Sequence, residues 1–229
     1  MQNNLFKFII RLSVVVLGVL ISFYIEKQKA LSYKEDLKDQ SLRRIINNIE
    51  HDIKDSKFNY NIHSKGAKFG RIILNRSNEL FQNDKDSLGY YLKSVSLFGT
   101  IFVDNQEEYS TLRNSGLMEL ISNDSLVADL QSKYSYHAHF KKIERFMKEQ
   151  SEELNEMVYK KLSYKTSGRT LYGPYGSYID NESLTNYDLN LIAHKTGMMI
   201  YYAGKIKESI VKDSLLILDI KKEISLRNY

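Results

Sequence analysis

The stretch from Leu189 to Ile224, L-N-L-I-A-H-K-T-G-M-M-I-Y-Y-A-G-K-I-K-E-S-I-V-K-D-S-L-L-I-L-D-I-K-K-E-I, largely determines the expected fold. Its apolar residues recur at alternating spacings of three and four, as seam positions do in packed helices. The seam consists of Leu189, Ile192, Thr196, Met199, Ala203, Ile206, Ile210, Asp213, Ile217, Ile220 and Ile224. We expect Asp213, its one charged member, to face solvent where the helices splay, or the register to shift locally toward residues 215–218. The pattern predicts a long helix over residues 187–227.

Two further segments carry a helical apolar pattern. Apolar residues recur every seven positions from Ile46 to Phe81, with Leu42, Ile45, Ile49 and Ile73 on the same side, and a second run extends from Leu126 to Leu162. These runs predict long helices over residues 26–81 and 124–163, and Gly66 and Gly70 mark either a break or a close helix contact in the first. Helices with one apolar face are not stable singly, so the three should pack together, with short helices near Ser87 and Gln106 covering one end. The chain is therefore predicted to be all-α, an antiparallel bundle with coiled-coil-like packing.

The polar stretch T-L-R-N-S-G-L-M-E-L-I-S-N-D-S-L, residues 111–126, precedes the second long helix. Gly116 suits the left-handed conformation that ends a short helix. Asn123 or Asp124 can cap the helix that follows. The stretch is predicted to be a joint between helices and not a catalytic loop.

The N-terminal segment is strongly apolar, with no charged residue from Leu12 to Ile25. Extended back to Leu5, it covers about 31 Å as a helix, enough for a hydrocarbon core of about 30 Å. The alternative is a cleaved signal peptide, but residues 23–27 lack the small side chains that cleavage requires. We predict a short tail and transmembrane anchor in residues 1–25, contact with the bilayer through residues 5–25, and a bundle domain in residues 26–229.

Composition and charge exclude several classes of function. The net charge is +5, but basic and acidic residues are interleaved, which is typical of solvated helix faces and not of a nucleic-acid surface. The chain has no cysteine, so thiol catalysis and Cys-ligated zinc are excluded. No phosphate loop, nucleophile elbow or dinucleotide fingerprint occurs. We predict no enzymatic activity, no cofactor and no nucleic-acid partner.

The histidines do not form a metal-binding pattern. His137 and His139, two residues apart, lie on nearly opposite faces of a helix, and no Asp or Glu stands at a chelating distance from His137. Since His137 falls on the apolar face, we predict a hydrogen-bonded core histidine in preference to a ligand. No metal site is predicted.

One long connection, residues 164–185, separates the second and third long helices and contains the single proline. Long loops in helical bundles are often functional, and tyrosine and arginine are enriched at binding surfaces. Arg169, Tyr172, Tyr175 and Tyr178 are therefore the candidate partner contacts. The alternative is that these tyrosines pack across the end of the bundle.

Several motifs together resemble a known family. A basic N-terminus precedes the span V-V-V-L-G-V-L-I-S, and E-Y-S-T-L-R-N-S-G-L-M-E-L-I-S-N-D-S-L precedes a Tyr-rich helix. This arrangement resembles the Bacteroidota domain of unknown function six-zero-nine-zero, which has a single span and a Tyr-x-x-Leu-x-x-Ser-Gly-x-x-x-x-Ile motif. The motif positions are Tyr109, Leu112, Ser115, Gly116 and Ile121, with Tyr134 and Tyr136 as the aromatic pair that follows. The Trp that usually follows the span is missing here.

The resemblance implies an inner-membrane location with a cytoplasmic N-terminus, and no activity. Asp-Ser-Leu triplets at Asp86, Asp124 and Asp213 look like the extracytoplasmic O-glycosylation sequon of that phylum, which favours a periplasmic body. The Lys and Arg count of the flanks alone favours the opposite orientation. We expect a scaffold or accessory subunit of a membrane complex, or a homo-oligomer, because the seam from Leu189 to Ile224 can serve a partner helix as well as the bundle. The alternative is an extracytoplasmic ligand-sensing helical bundle.

Overall fold

The computed structural model describes residues 2–97, 99–103, 105–164 and 176–226. Its elements are α1 (Gln2–Asn83), α2 (Lys85–Leu97), α3 (Glu107–Asn114), a 3₁₀ turn (Leu117–Leu120), α4 (Asp124–Lys161), β1 (Leu162–Tyr164), β2 (Gly176–Tyr178) and α5 (Asn186–Ser225). The all-α prediction is confirmed, and α4 and α5 agree with the predicted helices to within two residues. The predicted anchor and the first long helix form one continuous helix, α1. The short antiparallel pair β1–β2 was not predicted.

Helix α5 runs antiparallel to both other long helices. Against α1, Lys38 lies beside Glu223 and His63 beside Tyr202. Against α4, contacts advance in opposite directions along the two helices, from Lys133 with Asp213 to Glu144 with Tyr202 and Ser151 with Lys195. Helices α1 and α4 are therefore parallel, and α5 packs between them in the reverse direction.

The two short helices lie at different levels of the bundle. Leu88 and Leu92 of α2 pack near Ile73 of α1, whereas Leu112 of α3 packs near Leu42, at the opposite end. The prediction that both would cover one end is wrong. The physical reason is that Phe102, between the two helices in the chain, is buried in the central apolar cluster, so α3 begins beyond the middle of the bundle and packs at the other end.

The core consists of three apolar clusters. The first contains Leu42, Ile45, Leu126, Leu130 and Ile220; the central one contains Phe102, Phe140, Met147, Met199 and Ile206; the distal one contains Ile73, Leu88, Leu92, Leu154 and Ile192. Buried polar residues separate them along α4 and α5. A first polar layer, around Lys133 and Asp213, lies between the first and central clusters, and a second, around Ser151 and Lys195, lies between the central and distal clusters.

The joint before α4 has the predicted local structure. Gly116 adopts a left-handed conformation with φ of 73° after α3 ends. The Asn123 side chain accepts hydrogen bonds from the backbone N–H groups of Ser125 and Leu126 and so caps α4. These residues have structural roles that satisfy helix ends.

Gly70 marks a close contact and not a break. A Cβ at this position would lie 1.9 Å from Thr196 Oγ1 of α5, so only glycine allows the two helices to approach this closely. Helix α1 continues through Gly70 and departs from helical geometry further on, at Arg76, with φ −134° and ψ 16°. The close contact brings the α1 and α5 backbones together between the central and distal clusters.

The N-terminal part of α1 projects beyond the bundle. Every described side chain from Phe8 to Lys34 is exposed, and Leu37 is the first residue to pack against an apolar cluster. Among the described residues, no helix satisfies the length and apolarity expected of a membrane span. The anchor therefore stays a prediction.

Candidate functional site

The first polar layer is a buried charge triad centred on Lys133. Its Nζ lies 3.0 Å from Asp52 Oδ2 of α1 and 3.0 Å from Asp213 Oδ2 of α5, with all three side chains almost fully buried. His137 Nε2, one turn along α4, lies 3.4 Å from the same Nζ. Burial raises the pKa of Asp213, and the Lys133 ammonium opposes that rise. The triad joins all three long helices through one cation.

The expectation that Asp213 would face solvent, or that the register would shift, is wrong. Asp213 is 3% exposed and keeps its seam position. The reason is the counter-ion that Lys133 supplies from α4, which compensates the cost of burying a carboxylate. His137 is 2% exposed, as predicted for a core histidine, and its ring lies edge-on to Phe102.

The second polar layer contains a buried lysine in a different environment. Lys195 of α5 is 5% exposed, and its Nζ donates to Ser151 Oγ of α4 at 2.5 Å. Ser151 Oγ in turn donates to the Met147 carbonyl. Within the described part of the chain, no carboxylate forms an ion pair with Lys195. Burial lowers the pKa of Lys195 to about 8, because desolvation disfavours the charged ammonium.

A buried histidine lies near this lysine, on α1. His63 is 1% exposed, its Nε2 lies 3.2 Å from Thr100 Oγ1, and its Nδ1 has no hydrogen-bond partner among the described residues. Its ring meets Tyr202 edge-on, and the Tyr202 hydroxyl donates to Glu144 Oε1 at 2.5 Å. Burial, and then the charge of Lys195, lower the pKa of His63 to about 4. The imidazole is therefore neutral near pH 7.

The candidate partner contacts fall partly within the described chain. Tyr178 lies on β2, is 2% exposed, and donates its hydroxyl to the Glu182 carbonyl at 2.7 Å. Its ring packs edge-on against Phe81, which agrees with the alternative in which the tyrosines pack across the bundle end. Arg169, Tyr172 and Tyr175 lie outside the described residues, so their role stays a prediction.

Two surface clefts reach the charge triad from different sides. One, of about 250 Å³, lies between α4 and α5 and reaches Lys133 and Asp213. The other, of about 610 Å³, lies between α1 and Val103 with residues 105–107, and reaches Asp52. Lys133 forms ion pairs with two carboxylates, and the Ser151 hydroxyl donates a hydrogen bond to a carbonyl of its own helix. These buried polar groups therefore interact mainly with other buried groups of the bundle.

A third cleft, the cationic groove, runs between α1 and α5 and measures about 500 Å³. Lys68, Arg71 and Arg76 of α1 and Lys207 of α5 are the ionic residues that line it. No group of three or more His, Asp and Glu among the described residues is arranged to hold a metal ion.

No family model, curated protein or solved structure matches this chain. The resemblance to the Bacteroidota domain therefore stays a prediction from the sequence.

Proposed function

We propose that the chain is a non-enzymatic, single-pass membrane protein whose helical body serves as a scaffold or accessory subunit, joined to itself or to other membrane proteins. The observation that carries the proposal is the projecting part of α1. The large apolar side chains that the structure describes between Phe8 and Ile25 are 47–66% exposed. Apolar surface costs about 25 cal/mol per Å² in water, and contiguous exposed patches mark membrane or partner contacts.

The distribution of these side chains favours lipid over a partner helix. From Phe8 to Ile25 the one charged residue is Arg11, and apolar residues occur around the whole circumference of the helix. A helix that is apolar on all sides suits a lipid environment, whereas docking on a partner helix needs one apolar stripe. Arg11 lies near one end of the segment, where a long basic side chain can extend to the headgroups.

Residues 26–36, here called the stalk, connect the apolar segment to the bundle. They are part of α1, rich in charged residues, and extend about 16 Å as a helix. A continuous helix transmits position better than a flexible linker does. The stalk would therefore hold the bundle at a fixed distance from the bilayer, which suits a scaffold.

The partner contact cannot be the predicted seam of α5, because seam residues such as Ile192, Ile206 and Ile220 are buried inside the bundle. A second set of apolar residues on the same helix is exposed on the outside of the bundle. Val211, Leu215 and Leu218, spaced four and three residues apart, are 55%, 55% and 61% exposed. We call these three residues the outer α5 face and propose that it makes the scaffold contact.

Purification of the full chain from native membranes in mild detergent tests the scaffold. We expect a protein mass by light scattering above the 26.8 kDa of one chain, from self-association or a bound subunit. The double variant Leu215→Glu/Leu218→Glu should reduce it to one chain, whereas Asn190→Glu, at an exposed position of the same helix, should not. A wild-type monomer with nothing bound would contradict the scaffold.

We also propose that the N-terminus is cytoplasmic and the body periplasmic, on the support of the family resemblance and the Asp-Ser-Leu triplets. An alkaline phosphatase fused to the C-terminus should be active, and a green fluorescent protein fused at the same point should be dark. The reverse pair of results would place the body in the cytoplasm.

The alternative function, an extracytoplasmic ligand-sensing bundle, is supported by the cationic groove. A ligand that raises the unfolding temperature of the full chain would favour it over the scaffold.

A further inference from the structure

We propose that the cationic groove binds a single-chain anionic amphiphile, an alkyl chain that ends in a phosphate or carboxylate. The proposal names a ligand class for the ligand-sensing alternative, does not use the scaffold contact, and assumes the membrane anchor only where it excludes a lipid of the anchoring leaflet. It depends on three properties of the groove: its uncompensated positive charge, its apolar floor and its distance from the N-terminal apolar segment.

The first property is charge of one sign. All four ionic side chains that line the groove are cationic, although the chain as a whole carries 33 basic and 28 acidic residues. Arg76 is held by Glu79 at 2.6 Å. Lys68, Arg71 and Lys207 make no hydrogen bond or ion pair with any residue that the structure describes. Three cations without acidic partners around one groove favour an anion, and a guanidinium binds phosphate or carboxylate with two parallel hydrogen bonds.

The second property is an apolar floor with space above it. Ala67, Ile72, Ile200 and Ala203 line the groove, and Ile200 is 42% exposed although it lies on the floor. Gly204 lies beside them, and a Cβ there would meet nothing within 4 Å. Glycine in a helix interior is less favourable than alanine, and neither a close contact nor a positive φ requires it at this position. An alkyl chain laid along this floor would cover the apolar surface.

The third property is the elongated shape of the groove and its distance from the N-terminal apolar segment. On α1 the lining runs from Tyr60 to Arg76, about 24 Å of helix, which suits an extended ligand more than a compact one. Lys68 lies 43 residues beyond Ile25, or about 65 Å along α1. Headgroups of a bilayer that holds the apolar segment cannot reach the groove. The ligand is therefore a free or delivered molecule and not a lipid of the anchoring leaflet.

Calorimetric titration of the full chain in nanodiscs of neutral phospholipid, with empty nanodiscs as the blank, tests the proposal. The probes are octyl phosphate and octanoate, which have charge and chain, inorganic phosphate, which has charge alone, and octyl glucoside, which has the chain alone. We expect saturable binding of one octyl phosphate or octanoate, and weaker binding of the other two. The ratio between octyl phosphate and octanoate distinguishes a phosphate ligand from a carboxylate ligand.

Two variants test the two parts of the groove, each with a matched control. Arg71→Glu reverses the charge of a residue that lines the groove, and Gly204→Leu fills the space above its apolar floor. Each should weaken octyl phosphate binding by about tenfold or more, because the loss of a charge-assisted hydrogen bond or of alkyl-chain burial changes affinity by about that factor. Lys221→Glu and Gly197→Leu make the same changes at exposed positions outside the groove and should leave binding within about twofold of wild type. Circular dichroism verifies that each variant is folded.

Several results would overturn the proposal. These are the absence of saturable binding, equal binding of inorganic phosphate or octyl glucoside, or an equal loss in the control variants. Binding of a single-stranded oligonucleotide in place of octyl phosphate would assign the groove to a linear polyanion and would equally reject the amphiphile.

Discussion

Replacing Lys133 or Lys195, the buried lysines of the two polar layers, with methionine should change stability in opposite directions. Lys133 is held by two carboxylates at 3.0 Å each, whereas Lys195 donates to the Ser151 hydroxyl. Methionine has a similar length and no charge, so it removes the ammonium while filling most of the volume. We expect Lys195→Met to stabilise the bundle and Lys133→Met to destabilise it.

The magnitudes follow from the two environments. Burial lowers the pKa of Lys195 from 10.5 to about 8, and at 1.36 kcal/mol per pKa unit the charged lysine costs on the order of 3 kcal/mol at neutral pH. The gain in Lys195→Met should be about 1–3 kcal/mol, because the hydrogen bond from the lysine to Ser151 is lost. Lys133→Met removes the shared counter-ion of Asp52 and Asp213 and should cost about 3–5 kcal/mol.

Thermal unfolding of the full chain in one detergent, followed by circular dichroism, measures both changes. For a chain of this size 1 kcal/mol corresponds to about 2–4 °C, so Lys195→Met should raise the midpoint by about 2–12 °C and Lys133→Met should lower it by about 6–20 °C. If both variants shifted the unfolding midpoint in the same direction, the conclusion that Lys133 is compensated by carboxylates and Lys195 is not would be refuted.

The pH dependence gives a second measure of Lys195. Its pKa is lower in the folded protein than in the unfolded chain, so the unfolded chain binds more protons between about pH 8 and pH 10.5, and stability rises with pH across that window. Wild type should gain stability relative to Lys195→Met as the pH is raised from about 7.5 to about 9.5. A difference in stability between the two proteins that stays constant with pH would show that the pKa of Lys195 is not lowered in the folded protein.

Three further predictions concern α1, α5 and the cap of α4. Because the pKa of His63 is about 4 in the folded protein and about 6.5 in the unfolded chain, stability should fall as the pH drops from about 6.5 to about 4, by up to about 3 kcal/mol, and His63→Gln should lose that dependence in acid titrations followed by fluorescence. Gly70→Ala should destabilise by about 1–3 kcal/mol in thermal unfolding, since its Cβ would clash with Thr196, while Gly204→Ala should stabilise by up to about 1 kcal/mol. Asn123→Ala should cost about 1 kcal/mol in the same assay through loss of the cap on α4.

Helix positions could be predicted from the sequence because apolar spacing is a local property. Which residues of α1 face the core was harder to predict. The sequence pattern follows Ile46, Ile53, Tyr60 and later residues at every seventh position, with Leu42, Ile45, Ile49 and Ile73 on the same side, but the most deeply buried stripe also contains polar residues that the pattern left out. That stripe contains Leu42, Ile45, Ile49, Asp52, Ser56, Asn59, His63, Gly70, Ile73, Ser77 and Leu80. Its spacings are mainly three and four, so it becomes visible in the sequence once polar residues are allowed at seam positions.

The polar layers could not be predicted, because their partners are distant in the chain. Asp52 and Asp213 are compensated by Lys133, which lies 80 residues before Asp213. A charged residue in a seam is interpreted as a break in the apolar pattern unless its counter-ion is known. No residue near Asp213 in the sequence indicates that Lys133 is that counter-ion. His63 and Lys195 carry no motif, and their perturbed pKa values arise from burial that only the packed bundle creates. The cationic groove likewise forms between helices whose sequences are far apart.

Cysteine accessibility tests the membrane anchor most directly, because the chain has no cysteine of its own. Gly18→Cys lies in the apolar segment with nothing within 4 Å of its Cβ, and Asn190→Cys lies at an exposed position of the bundle. In intact cells treated with a polar, membrane-impermeant maleimide, we expect labelling of Asn190→Cys and protection of Gly18→Cys until the membranes are dissolved in denaturant. Equal labelling of the two variants, with the chain recovered from the soluble fraction, would contradict the membrane anchor.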